Sequence, residues 1–295
     1  MNIQNLKNPL LDQILTPPQY EKMHYGVPYI LNLKNNKQEL LYYGTEHSKD
    51  QQDKKFDEIE SLFKDFTVAH SADKIIVALE SMVPPEVLSR DEMIEKYRET
   101  GFLMYLAHRH SIRVISPEPG DKIMPLVKLF GGYSVGVLAG WMLAGTLVYK
   151  SSAQPLAVSD LIDTFRIIDA SIGYGLLPSI VNEEDAIKII EDKYISVIRE
   201  QFQLETGSNL VPPMLNSICA DYKSLDLNTL KNVLDRSKEK NIFHKISSDF
   251  SNVRDRYIAR GILDELQKRN SVFAVFGTNH VIAQEPAFKK YFSLS

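Results

Sequence analysis

Two short segments near opposite ends of the chain each place a histidine just after a glycine that ends an apolar run. The first is Gly44-Thr45-Glu46-His47, which follows residues 39–43, and the second is Gly277-Thr278-Asn279-His280, which follows residues 271–276. In open α/β sheets, ligands bind at the carboxyl edge of the parallel strands. We therefore predict that both runs are buried strands, and that the two histidines share a site if these strands are neighbours.

The order of the predicted elements indicates an α/β fold. Apolar runs and helical spacings predict, in chain order, a hairpin at 28–43, a helix at 54–68, a strand at 74–79, a helix at 85–110, a strand at 111–115 and a helix at 249–269. Alternating strands and helices with short connections are typical of a mainly parallel sheet. We predict one α/β domain over residues 1–295, with a mainly parallel, mixed central sheet flanked by helices.

Residues of about 120–245 differ from the rest because their pattern is almost entirely helical, and we predict a helical insertion or cap over the sheet. Within this region, the run from Leu129 to Tyr149 carries no formal charge and has Gly132, Gly136 and Gly140 at four-residue spacing. This pattern is typical of a membrane helix or of a helix buried in a large core. A single membrane span here would place the two Gly-x-x-His motifs on opposite sides of the bilayer, so we predict a buried helix.

Charge, cysteine content and motifs limit the class of protein. The formal net charge of −4, with both signs interspersed, does not favour nucleic acid or an anionic membrane as partner. The single cysteine, Cys219, rules out an internal disulfide and fits a reducing compartment. The first residues lack the basic-then-apolar order of a secretory signal, so a cytoplasmic protein is expected, with export by another route as the open alternative. No Gly-rich phosphate loop, Gly-x-Ser-x-Gly elbow or Cys-x-x-Cys pair is present, which argues against nucleotide binding, serine-hydrolase chemistry and structural zinc.

Four residues of types that often act in catalysis lie at or just after the ends of predicted strands: His47, Glu80, Glu118 and His280. In a parallel sheet these strand ends meet at one edge. Each residue alone is weak evidence, because exposed charged residues are common. Two imidazoles and two carboxylates together have the composition of a metal site or a general-base site.

Arg254-Asp255 lies near the start of the last predicted helix. Asp249 or Ser251 can cap that helix, which places Arg254 in its first turn at the edge of the sheet. A guanidinium there could hold a carboxylate or stabilise an oxyanion, whereas the alternative is an Arg–Asp pair that only holds the helix in place. The remaining histidines have no such context and are predicted to be structural: His24, His70, His108, His110 and His244.

The order of these motifs resembles that of the Tiki-like superfamily. This group includes the TraB/PrgY and GumN-type proteins, the Tiki proteases, the ChaN-type haem-binding lipoproteins and the erythromycin esterases. Its pattern is an early Gly-x-x-His after a strand, a glutamate at the end of the next strand, a late Arg-Asp or Arg-Asn before an apolar helix, and a closing Gly-x-x-His. The matching segments here are Gly44 to His47, Glu80, Arg254-Asp255 and Gly277 to His280. The middle of the chain matches only in being helical.

The resemblance implies hydrolysis of a peptide, ester or lactone bond in a small-molecule or peptide substrate. His47 would then be a general base or a ligand with Glu46 and Glu80 beside it, His280 a second ligand or base, and Arg254 a stabiliser of negative charge. The remaining matched or neighbouring residues would support the site or contact the substrate: Gly44, Glu118, Asp255, Gly277 and Asn279.

Two mechanisms and two other functions stay open at this point. In one mechanism a divalent metal (Zn, Mn or Co) held by His47, Glu80 and His280 lowers the pKa of bound water. In the other, a histidine beside a glutamate takes the proton from water directly. The alternative functions are a non-catalytic protein of the same fold that binds haem or a peptide, and a partner-binding scaffold in which the motifs are inactive. The oligomeric state has no sequence signal.

Overall fold

The computed structural model describes residues 8–81, 83–151, 231–238 and 240–294, together with positions 166, 182, 185, 188 and 200. Cys219 and most of the predicted helical insertion lie outside these residues. The chain divides into two compact units. We call Met1–Gly120 with Arg254–Ser295 the sheet unit, and Asp121–Val253 the helical unit.

Five strands of the described residues form one mixed sheet in the order β1-β2-β5-β3-β4. Their bounds are Tyr29–Lys34 (β1), Glu39–Thr45 (β2), Ile75–Leu79 (β3), Arg113–Ile115 (β4) and Ser271–Gly277 (β5). Strand β1 is antiparallel to β2, and the pairs β2–β5, β5–β3 and β3–β4 are parallel. This arrangement confirms the predicted mainly parallel, mixed sheet.

The two motif strands are neighbours near the middle of the sheet. Gly44 pairs with Phe276 and Thr45 with Gly277, so both strands end at the same level. Every residue of β2 is buried, and so is every residue of β5 except the last. Strands buried on both faces are expected where helices cover both sides of a sheet.

Helices cover both faces of the sheet. The α-helices of the described residues are Pro17–Tyr20 (α1), Lys54–Ala69 (α2), Arg90–Arg109 (α3), Ile123–Gly131 (α4), Val135–Ser151 (α5), Ile242–Gln267 (α6) and Thr278–Leu294 (α7). Side chains alternate across a strand, so Tyr42 packs in one core with residues of α6 and α7, and Tyr43 packs in the other with residues of α2 and α3. The helices flanking the sheet were predicted, except for α7.

Gly44 allows α7 to start close to β2. A Cβ at this position would lie 2.9 Å from Cγ2 of Val281 and 3.0 Å from Cα of Thr278. Real Cβ atoms are almost never that close to another atom, so a larger residue would displace the start of α7. The first glycine of the motif pair is therefore required for packing.

The predicted single buried helix from Leu129 to Tyr149 is wrong. Gly132, with a left-handed φ of 66°, ends α4, as glycine commonly does at a helix C-terminus, and α5 starts afresh at Val135. Leu138 in α5 is fully buried, but Leu129 is 64% exposed. No helix in the described ranges is long and apolar enough to cross a membrane.

Candidate active site

Glu80, directly after β3, lies at the centre of a polar cluster at the carboxyl ends of the parallel strands. Its Oε2 accepts a hydrogen bond from the backbone N–H of Gly277 at 2.5 Å, and its Oε1 accepts one from Nη2 of Arg254 at 3.1 Å. The Nε2 atoms of His47 and His280 lie 3.7 Å and 3.6 Å from these two oxygens. The structure therefore brings both motif histidines to one carboxylate.

Gly277 keeps the space between two of these side chains open. A Cβ at this position would lie 3.6 Å from Oε2 of Glu80 and 3.8 Å from Nε2 of His47. These are ordinary contact distances, so a side chain here would fit but would occupy the space in front of the imidazole. The two motif glycines thus have different roles, since Gly44 permits packing and Gly277 keeps the site accessible.

Arg254 links two carboxylates. Its Nε and Nη2 donate to the two oxygens of Glu118 at 2.9 Å and 2.6 Å, a bidentate pair, and Nη2 also reaches Glu80. Within the part of the chain that the structure describes, Nη1 makes no hydrogen bond. Burial raises the pKa of Glu80, but His280 and Arg254 outweigh it and lower that pKa to about 2. Glu80 is therefore an anion at neutral pH.

The position of Arg254 in its helix differs from the prediction. Helix α6 begins at Ile242, so Arg254 lies in the middle of the helix and not in its first turn. Ser251, which was expected to cap the helix as an alternative to Asp249, donates its hydroxyl to the Ser247 carbonyl at 3.1 Å. Serine makes this bond inside helices as well as at their ends, so the residue did not mark a helix start.

His280, in the first turn of α7, is fixed by a buried chain of hydrogen bonds. Its Nδ1 lies 2.6 Å from Oδ1 of Asp255, which also accepts from Nε2 of Gln284 at 2.8 Å. The hydroxyl of Tyr42 donates to the amide oxygen of Gln284 at 3.2 Å. Burial lowers the pKa of His280, but Asp255 and Glu80 raise it to about 9. At neutral pH His280 is accordingly an imidazolium.

His47 has a different environment. Its Nδ1 lies 3.1 Å from Oε2 of Glu99, whose other oxygen accepts from the backbone N–H of Ser48 at 2.7 Å and from Nζ of Lys55 at 3.1 Å. The side chain of His47 is 42% exposed, whereas that of Glu99 is 3% exposed. The hydrogen bond to Glu99 raises the pKa of His47, although partial burial opposes it. His47 is thus the accessible histidine of the pair.

Glu99 is the site residue that sequence reasoning missed. It belongs to a segment with a helical pattern, where a glutamate is usually solvated. Helix α3 is interrupted at Arg98, which has φ 56° and ψ −138°, and the carboxylate of the next residue is buried. The available signal was Gly101, because a glycine inside a helical pattern often has a packing reason. A Cβ on Gly101 would overlap the carbonyl oxygen of Met93.

Two predicted residues do not join the cluster. Glu46 is exposed, and its side chain makes no hydrogen bond or ion pair with any described residue, although its carbonyl accepts from Lys55. The side chain of Glu46 is therefore not part of this cluster. Asn279 accepts a hydrogen bond from the hydroxyl of Tyr25 at 2.6 Å, which ties the second motif to the chain before β1.

The predicted metal ligands His47, Glu80 and His280 lie together in the cluster. The oxygens of Glu80 also accept hydrogen bonds from Gly277 and Arg254, and Nδ1 of His280 pairs with Asp255. No group of three or more His, Cys, Asp or Glu side chains in the described ranges has the geometry of a metal site. The divalent metal therefore stays a prediction.

No protein-family model, curated protein or solved structure matches this chain. Membership of the Tiki-like superfamily therefore stays a prediction.

Proposed function

We propose that the protein is a hydrolase of acyl bonds (peptide, ester or lactone) in which His47 takes a proton from water. The observation that supports this most directly is the pair of His47 with the buried carboxylate of Glu99 at 3.1 Å. A carboxylate on Nδ1 fixes the imidazole and its tautomer, and leaves Nε2 as the acceptor. A partly exposed imidazole held in this way has the properties of a general base.

The two histidines have different roles in this proposal because their environments differ in burial and in the carboxylates beside them. His280, with a pKa of about 9, is already protonated at neutral pH and cannot accept a proton from water. It helps to hold Glu80 as an anion. His47 is accessible, so it is the histidine that can cycle between its two protonation states. Pairs of titratable groups whose pKa values are shifted by different environments are typical of acid–base sites.

These positions support the following reaction. Nε2 of His47 accepts a proton as the water oxygen bonds to the acyl carbon, and the carbonyl oxygen becomes an oxyanion. Arg254, 29% exposed and with Nη1 unused by the described residues, donates to that oxyanion. His47 then returns its proton to the leaving group as the acyl bond breaks. Water is consumed, and the products are an acid and an alcohol or amine, which are parts of one hydroxy acid when the substrate is a lactone.

Substitution of His47 tests the proposal. Purified protein is assayed against chromogenic esters, lactones and peptide anilides, and the best substrate is used for kinetics. We expect His47→Ala to lower kcat/KM by roughly 10²–10⁴-fold, the usual contribution of a general base. His108→Ala is the matched control, because His108 is also exposed but has no carboxylate partner among the described residues. Full turnover of every substrate by His47→Ala would show that the proposal is wrong.

A further inference from the structure

His47 lies on a segment without regular secondary structure, so the position of its side chain depends on contacts from other elements. Strand β2 ends at Thr45, and residues 46–50 form neither helix nor strand. A general base has to be held within a narrow range of positions by the groups around it. The hydrogen bonds that tie this segment to the helices involve Lys55 of α2 and Glu99 of α3. The orientation of His47 therefore depends on two helices.

Lys55 and Glu99 hold three consecutive residues of this segment. Nζ of Lys55 donates to the carbonyl of Glu46 and, at 3.1 Å, to Oε1 of Glu99. The same oxygen accepts from the backbone N–H of Ser48 at 2.7 Å, and Oε2 lies 3.1 Å from Nδ1 of His47. The lysine and the glutamate thus fix the backbone on either side of His47 as well as the imidazole itself.

The ammonium group of Lys55 is itself held in place. Lys55 lies in the first turn of α2, which Asp53 caps by accepting its backbone N–H at 3.1 Å. Its Nζ also lies 3.4 Å from Oδ2 of Asp53, and its side chain is only 12% exposed. An ammonium group has three hydrogens, and Asp53, Glu46 and Glu99 offer three acceptors. Lysine is seldom buried to this extent without such partners, so these contacts indicate a fixed position.

Lys55 also supplies the charge that Glu99 needs during the proposed reaction. His47 has to be neutral before it can take a proton from water, and among the described residues the buried carboxylate of Glu99 is then paired only with Lys55. A buried carboxylate without a cation is costly, so in the absence of Lys55 it would move or take up a proton. Either change removes the acceptor for the Nδ1–H of His47, and with it the tautomer that leaves Nε2 free.

We propose that Lys55 is a positioning residue of this site, which sets the orientation and the tautomer of His47 through Glu99 and the Glu46 carbonyl without touching the substrate. This inference rests on the proposed hydrolase function. It distinguishes Lys55 from the preceding residue, Lys54, which is exposed and forms no ion pair with a described residue. Two adjacent lysines of one helix therefore have different roles.

Kinetics of substitutions at the two lysines test the proposal. Lys55→Met keeps the length of the side chain but removes its charge. We expect it to lower kcat about tenfold and to change KM less than about twofold, because one charge-assisted interaction that orients the base is lost while substrate contacts remain. Lys55→Arg keeps the charge and the donors and should recover most of the loss, and the matched control Lys54→Met should equal the native protein. A change in KM with an unchanged kcat, or equal effects of Lys55→Met and Lys54→Met, would overturn the positioning role.

A spectroscopic measurement without substrate separates this inference from the hydrolase proposal. The nitrogen chemical shifts of the imidazole, measured by ¹H–¹⁵N NMR above the pH at which His47 loses its proton, report its tautomer, and the His47→Gln variant assigns the signals. We expect the Nδ1–H tautomer in the native protein and in Lys54→Met, and its loss in Lys55→Met. That result in a protein that turns over no substrate would sustain the role of Lys55 and overturn the hydrolase. The same tautomer in Lys55→Met as in the native protein, with turnover that depends on His47, would overturn the role of Lys55 and leave the hydrolase intact.

Discussion

The buried pair of His280 and Asp255 should make stability depend on pH in a defined window. The pKa of His280 is raised from 6.5 to about 9, and each unit corresponds to about 1.4 kcal/mol between the two protonation states. The protonated pair therefore contributes on the order of 3 kcal/mol to the free energy of unfolding. Because the folded protein holds the proton more tightly than the unfolded chain, this contribution is fully present below pH 6.5. It is lost as the pH rises to about 9.

Asp255→Asn removes the larger of the two carboxylate effects that raise the pKa of His280, and leaves the size of the side chain almost unchanged. We expect the variant to be less stable by about 3 kcal/mol at pH 6, and expect this deficit to shrink steadily up to pH 9. His47 also has a raised pKa, so it gives the free energy of unfolding a pH dependence of the same sign. This contribution is present in both proteins, and the difference in unfolding free energy between native and variant protein therefore isolates that of His280.

Urea unfolding, followed by far-ultraviolet circular dichroism between pH 6 and pH 9.5, measures this difference. Asp264→Asn is the control, because Asp264 lies on the same helix but is 50% exposed and, among the described residues, pairs only with Arg260 at 3.6 Å. The unfolding free energy of the control should change with pH as that of the native protein does. If Asp255→Asn also shows the native pH dependence, His280 is not charged in the folded protein, and the division of roles between the two histidines is wrong.

Two further predictions concern His47 and the motif glycines. Glu99→Gln should shift the pH at which kcat/KM rises to a lower value, because a general base works only when deprotonated and Glu99 raises the pKa of His47. The control Glu95→Gln, at an exposed residue of the same helix, should leave the pH profile unchanged. An identical shift in both variants would contradict the pairing of Glu99 with His47. Gly277→Ala should lower kcat/KM at least about tenfold with little change in melting temperature. Gly44→Ala should instead destabilise the fold by about 1–3 kcal/mol, because its Cβ would lie 2.9 Å from a neighbouring atom. Thermal unfolding and kinetics of both variants measure this contrast, and equal effects of the two substitutions would refute it.

The sheet and four of the site residues could be predicted because their signals are local. A strand and the polar residue just after it are close in sequence, so His47, Glu80, Glu118 and His280 could be assigned to one sheet edge before any tertiary contact was known. Glu99 could not, since its role depends on a break in a helix whose pattern looks continuous. The position of Arg254 in α6 was also missed, because a serine that bonds back to a carbonyl within a helix resembles a serine that caps one.

The strand order has a consequence for the synthesis of the protein. Strand β5 is made last of the five, yet it lies between β2 and β3. A nascent chain that has not yet reached residue 271 therefore has two apolar strands with unpaired edges where β5 will insert, and such edges invite pairing with other chains. The same chain lacks His280 and the backbone donor to Glu80. The proposed proton-transfer site consequently cannot form on the ribosome before this strand has emerged. A product truncated ahead of it should be prone to aggregate and, under the proposed function, inactive.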